Sequence, residues 1–241
     1  MHSLLSLDHV TKRYGSLVVT NNFSLKLERG DVLGIIGPNG AGKTTLFNLI
    51  SGDVACDAGR IYFKGADITR EAPHKRCRKG IGRTYQIARP FEGITVYENL
   101  LVGAMFAGPS ESQSERTERC AGILEQTKLL SKANALAGAL TLLDRKRLEL
   151  ARALSSSPEL ILLDEIAGGL TEHEATQVVE LVKNIQARGV SVIWIEHVIH
   201  ALLAAATRAI VIDFGAKLAD GEPRAVMDSP EVKRVYMGIE V

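Results

Sequence analysis

Apolar residues along this chain cluster into short unbroken runs. Val32-Leu33-Gly34-Ile35-Ile36, Leu160-Ile161-Leu162-Leu163, Val190-Ser191-Val192-Ile193-Trp194-Ile195 and Ala209-Ile210-Val211-Ile212 lack the in–out alternation of a half-exposed strand. Such runs read as strands of a parallel sheet covered on both faces. Helix-compatible segments at about 172–187 and 198–206 separate the last three, which predicts α/β alternation. Residues 4–28, with a turn at Tyr14-Gly15-Ser16, and the stretch Arg60–Gly65 read instead as an antiparallel β-layer. Between Ile87 and Ser157 the β-branched runs vanish, and Ser110–Leu130 is polar and helix-compatible. Residues 88–157 are therefore read as a helical insertion in an α/β core formed by 1–87 and 158–241, a single domain overall. Gly108–Ser114 is the expected flexible loop of the insertion. The tail beyond Gly215 is expected to hold turns at Asp220–Pro223 and Ser229-Pro230, with no room for a regulatory domain.

The first apolar run leads directly into Gly37-Pro38-Asn39-Gly40-Ala41-Gly42-Lys43-Thr44-Thr45 and then into a helix-compatible segment, Thr45–Ile50, that Gly52 can end. A G-x-x-x-x-G-K-[ST] pattern between a strand and a helix is a phosphate-binding loop. Glycines at 37, 40 and 42 let successive backbone N–H groups turn toward phosphate oxygens. The helix start adds about half a positive charge. Lys43 is placed to reach the β- and γ-phosphates, and the Thr44 hydroxyl to ligate Mg²⁺. A nucleoside triphosphate is the implied ligand.

Five further residues gain meaning beside that loop. The strand Leu160–Leu163 ends in Asp164-Glu165, at the edge of an open α/β sheet where ligands bind. Asp164 suits Mg²⁺, and Glu165 suits polarising the water that attacks the γ-phosphate. His197 follows the strand Val192–Ile195 and Glu196 to the same edge. Gln86 lies at the junction with the helical insertion, where it can sense the γ-phosphate. Tyr14 is a candidate to stack on a base, worth about 1–3 kcal/mol by analogy with base–aromatic stacking.

Composition narrows the class. The 241 residues are 46% hydrophobic and 24% charged with a net charge of +1, so no global field argues for nucleic acid as a partner. Cys56, Cys77 and Cys120 are odd in number and lack metal-type spacing, as expected of reduced thiols in the cytosol. The N-terminus does not read as a signal peptide. No run approaches the length needed to span a bilayer, and Ala201–Phe214 is broken by Arg208 and Asp213.

Taken in order, Tyr14, Gly37–Thr45, Gln86, Leu140–Asp144, Asp164-Glu165 and His197 resemble the ATP-binding subunit of ABC transporters over nearly the whole chain. The resemblance implies ATP and Mg²⁺ as ligands, with Thr44, Gln86 and Asp164 around the metal. It implies that Tyr14 stacks on adenine, Gln86 is the Q-loop glutamine, Glu165 the catalytic base and His197 the switch histidine. It further implies a nucleotide-sandwich dimer docked on integral membrane permease subunits through the helical insertion. Such a chain is cytoplasmic and peripheral on the inner face of the cell membrane. The segments Gly82–Phe91, Leu142–Leu154 and Pro230–Gly238 look like the ATP-binding proteins of branched-chain amino acid importers. Those commonly pair two different ATPase subunits and act with a solute-binding protein. A lipopolysaccharide-export ATPase and a soluble ABC ATPase of iron–sulfur cluster assembly remain alternative readings.

One loop departs from the family pattern. Where the family reads Leu-Ser-Gly-Gly-Gln, this chain has Leu140-Thr141-Leu142-Leu143-Asp144. Leucine bulk opposes close backbone approach to a phosphate, and the Asp144 carboxylate is repulsive there. Thr141-x-x-Asp144 reads equally well as a helix capping box. The family's usual proline after the glutamate is Ile166, and Thr171 stands where it has Asp or Asn. A poor signature face beside a sound ATP-holding face predicts a heterodimer, in which this chain's ATP meets a normal signature loop from another subunit.

Overall fold

The unbroken apolar runs form the middle of a six-stranded sheet. The structure, a computed structural model, describes residues 3–87, 89–105 and 111–237. An antiparallel layer comes first: β1 (Leu5–Tyr14) and β2 (Leu17–Leu27), joined later by β4 (Ala58–Phe63) and β5 (Ala66–Asp67) in the order β2-β1-β4-β5. The second sheet contains β3 (Val32–Ile36), β6 (Ile81–Arg83), β7 (Leu160–Asp164), β8 (Ser191–Ile195), β9 (Arg208–Asp213) and β10 (Ala216–Gly221). Its order is β10-β9-β3-β8-β7-β6, parallel throughout except for the antiparallel β10.

Burial on both faces explains the runs. Along β7 and β8, Ile161, Leu163, Val192 and Trp194 join a core shared with the helices. Leu160, Leu162, Ile193 and Ile195 point the other way, into a core shared with the β-layer and the first helix. Successive strand residues face opposite sides, so a strand with two dry faces needs an apolar residue at every position.

The helices are α1 (Lys43–Ser51), α2 (Pro73–Arg78), α3 (Val96–Ala104), α4 (Gln113–Gln126), α5 (Leu142–Ser155), α6 (Glu172–Ala187), α7 (Ile199–Ala205), α8 (Pro223–Asp228) and α9 (Pro230–Met237). Gly52 ends α1 in the left-handed region at φ 88°, and its N–H bonds to the Asn48 carbonyl. Reciprocal capping boxes open three helices, at Thr95/Glu98, Ser112/Glu115 and Thr171/Glu174, each worth about 1 kcal/mol. Among the described residues from α3 to α5 the chain carries α4 and two short 3-10 turns, Leu130–Lys132 and Ala137–Ala139. Its buried face runs without a break from Leu100, Leu124 and Leu148 to Leu163 and Trp194, so these helices share the core of the sheet.

Several expectations need correction. Of the anticipated flexible loop, 108–110 lie outside the described residues, while Ser112 caps α4 and Gln113 and Ser114 belong to it. The Ser112–Glu115 box supplies the order that small polar residues alone do not announce. The tail contains more than turns: β10, α8 and α9 follow Asp213. Short β6 and α2 also escaped the pattern, because three- and six-residue elements show too little periodicity. Among the described residues no helix is long and apolar enough to cross a membrane.

Candidate functional site

All parallel strands of the larger sheet end at one edge, and the loops leaving that edge build the site. β3 is buried from end to end and delivers Gly37 against β9. A Cβ at Gly37 would lie 2.2 Å from the Ile212 carbonyl oxygen, and one at Gly42 equally close to that of Val19. Gly40 and Gly42 also take φ of 82° and 101°. Glycine is required at these places by the loop's own packing. Lys43 is buried and donates from Nζ to the carbonyls of Gly37 at 2.7 Å and Pro38 at 2.9 Å. Burial pushes its pKa down, while Glu165 and Asp164 favour the charged form. Pro38, Asn39, Ala41, Thr44 and Thr45 complete the loop and the first turn of α1.

Three residues placed separately along the chain meet at one carboxylate. Gln86 donates from Nε2 to Glu165 Oε2 at 2.5 Å, and His197 Nε2 lies 2.7 Å from Glu165 Oε1. The backbone of Glu165 sits in the left-handed region at φ 49°, with its N–H bonded to the Ile195 carbonyl. Left-handed backbone at a residue other than glycine costs about 1–3 kcal/mol and persists where surroundings over-determine it. Next to it, Asp164 is buried. Burial raises its pKa and the Glu165 charge adds to this, against the lowering effect of Arg83 at 3.7 Å.

Thr44, Gln86 and Asp164 line one cavity of about 730 Å³ that opens between the core and the helices. Hydroxyl, amide and carboxylate oxygens suit a hard divalent cation. A buried carboxylate whose charge is disfavoured is what such a cation would neutralise, so these residues fit Mg²⁺. Among the described residues no group of three or more His, Cys, Asp or Glu could hold a metal. The donor set thus resembles sites where Mg²⁺ arrives with phosphate rather than in an all-protein cage. Tyr14 ends β1 with about half its surface exposed and Lys12 Nζ 5.4 Å from its ring centre. It is a free aromatic face beside the strand that packs Val19 against Gly42.

The departing loop folds as a helix start. Thr141 accepts the Asp144 N–H at 3.3 Å, but the return half of a capping box is missing. The Asp144 carboxylate is buried and bonds Lys132, Arg147 at 3.0 Å and the Thr141 hydroxyl at 3.1 Å. Its expected repulsion toward phosphate is therefore corrected: the charge is turned inward and paired. Leu142 is the side chain left half-exposed.

Four positions were not singled out by sequence reasoning. Glu196, fully buried, accepts N–H groups from Ala167, His197 and Val198 and the Trp194 indole, tying the loops after β7 and β8 together. Burial raises its pKa against the effect of those donors. Thr84 bridges β6 to Asp164 N–H at 3.1 Å. Arg83 is held by Asn48, Ser51 and Asp53. Lys146 donates to the carbonyls of Gln86 and Glu165. Buried charges on α5, where Lys146 lies among buried Leu148, Leu150 and Ala151, and a second carboxylate at a strand end were the available signals.

Residues 20–168 match the ABC transporter family. The chain is 36% identical to the high-affinity branched-chain amino acid transport ATP-binding protein BraF of Pseudomonas aeruginosa, over 98% of both chains. It is 34% identical to the lipopolysaccharide export system ATP-binding protein LptB of Haemophilus influenzae, again over 98% of each. Its fold matches the ADP conformation of MJ1267, an ATP-binding cassette of an ABC transporter, with a TM-score of 0.91, 32% identity and coverage of 99% of this chain and 100% of that one. With its phosphate loop, its α/β core and this likeness along its length, the chain belongs to the ABC transporter ATPases.

Proposed function

We propose that this ATPase energises a membrane importer of branched-chain or related amino acids, paired with a second, different cassette. The observation that carries the catalytic reading is the Glu165 carboxylate held between Gln86 and His197, beside the loop of Lys43. Lys43 and the N–H groups of Gly37–Thr45 bind the triphosphate, and Tyr14 stacks on the base. Glu165 takes the proton of the attacking water, and His197 orients that carboxylate. Mg²⁺, held by Thr44, Gln86 and Asp164, would neutralise charge on the phosphates. Gln86 sits where the helices meet the core, so a change at the γ-phosphate reaches the surface on which permease subunits would dock. The chain would then lie peripherally on the inner membrane face, with a solute-binding protein as an indirect partner.

The importer reading draws on the 36% identity with BraF, and the pairing on Leu142 and Leu143 in the signature position. The likeness to LptB supports a second reading, lipopolysaccharide export. ATP turnover measured for the chain alone and after mixing with a candidate second cassette tests the pairing. Mixing is expected to raise turnover; rapid turnover by the isolated chain would defeat it. Co-purified permease subunits decide between import and export.

A further inference from the structure

Although Leu142 is half-exposed, the first turns of α5 lie against the loops that carry Gln86 and Glu165. Leu142 packs over Gly169: a Cβ built there would lie 3.5 Å from Leu142 Cδ2. One turn later, buried Lys146 donates from Nζ to the backbone carbonyls of Gln86 and of Glu165, both at 3.0 Å. These are the two residues whose side chains meet at 2.5 Å. Burial lowers the pKa of the ammonium, while the charges of Glu196, Glu165, Glu149 and Asp164 favour its charged form. An apolar residue would fill the same space without desolvating a charge. The backbone of Glu165, at φ 49°, also needs external support on both sides. Ile195 supplies it on the N–H side; on the carbonyl side Lys146 at 3.0 Å joins the longer bond from the Gly168 N–H at 3.3 Å.

We propose that Lys146 is a positioning residue for ATP cleavage, clamping the Gln86 and Glu165 backbones so that their side chains converge. The inference rests on the catalytic reading of Glu165. It assigns this stretch of α5 a task within its own protomer, separate from whatever it offers a partner.

The test uses the full chain together with the membrane subunits that co-purify with it. Lys146→Met keeps length and removes the donor. It is expected to lower kcat about 100-fold, with KM for ATP and Tm unchanged, while amide exchange at residues 165–168 speeds up. Lys146→Arg, which can still donate to both carbonyls, should restore most of kcat. Unchanged kcat in Lys146→Met overturns the proposal. So does a parallel loss of kcat, nucleotide affinity and Tm, which marks a merely structural role. If Lys146→Met does not fold, Lys146→Leu, which also lacks a donor, takes its place under the same criteria. Glu165→Gln is the reference: should it leave turnover intact, the catalytic reading fails, and this proposal with it.

Discussion

The glycine-rich loop before α1 and the loop before α5 are built on different constraints in this chain. On the ATP-holding face, Gly37 and Gly42 are fixed by the fold itself, since a Cβ at either would strike a backbone carbonyl at 2.2 Å. In the loop before α5, no residue from Leu140 to Asp144 has a positive φ. Leu140 and Thr141 take ordinary extended backbone before α5, and nothing in the protomer demands glycine there. A glycine needed by the chain's own packing is retained. Where the chain's own packing makes no such demand, other residues fit without harming the fold, and here a helix cap and an inward ion pair occupy the place.

This contrast can be broken most sharply at Glu165. Glu165→Gln should cut turnover by about 100- to 10,000-fold while nucleotide affinity persists, measured by steady-state hydrolysis and a fluorescent nucleotide titration. Lys43→Ala should weaken ATP binding about 100-fold, the loss of two or so charge-assisted hydrogen bonds; calorimetry reads it directly. Gly42→Ala places a side chain at φ 101° against Val19. It should lower stability by about 1–3 kcal/mol, a drop of several degrees in Tm. Replacing Leu142 and Leu143 together by glycine should leave this chain's own ATP affinity alone. It should lower Tm by a few degrees, at about 1 kcal/mol for each glycine placed in a helix. Turnover at the partner's site should rise; no rise would show that leucine bulk is not what impairs this face.

The smallest effect lies at Asp144. Burial would raise its pKa, but Lys132, Arg147 and Thr141 outweigh burial and leave it below the usual carboxylate value. A depressed folded pKa means that its contribution is complete above the unfolded value and is lost as pH falls through the folded one. Asp144→Asn should therefore lower Tm at and above neutrality and flatten the acid limb of a Tm-against-pH profile, the two proteins converging at low pH.

The phosphate loop, the buried strands and the paired carboxylates Asp164 and Glu165 were legible because each is a contiguous run whose meaning is local. Elements too short for periodicity, such as Ile81–Arg83, were not. Nor was the loop before α4, where a serine–glutamate pair turned apparent disorder into a helix start.

Sequence alone was therefore enough to place a glycine-rich loop between a buried strand and a helix, since the pattern is contained in nine residues. Only the tertiary structure decided that Gln86 and His197 close on Glu165, that Asp144 turns inward, and that Lys146 and Glu196 bind the catalytic loops together. Those contacts join residues up to 79 positions apart. Their geometry depends on which strands lie side by side and in what register, a property of the folded sheet that no single stretch of chain encodes.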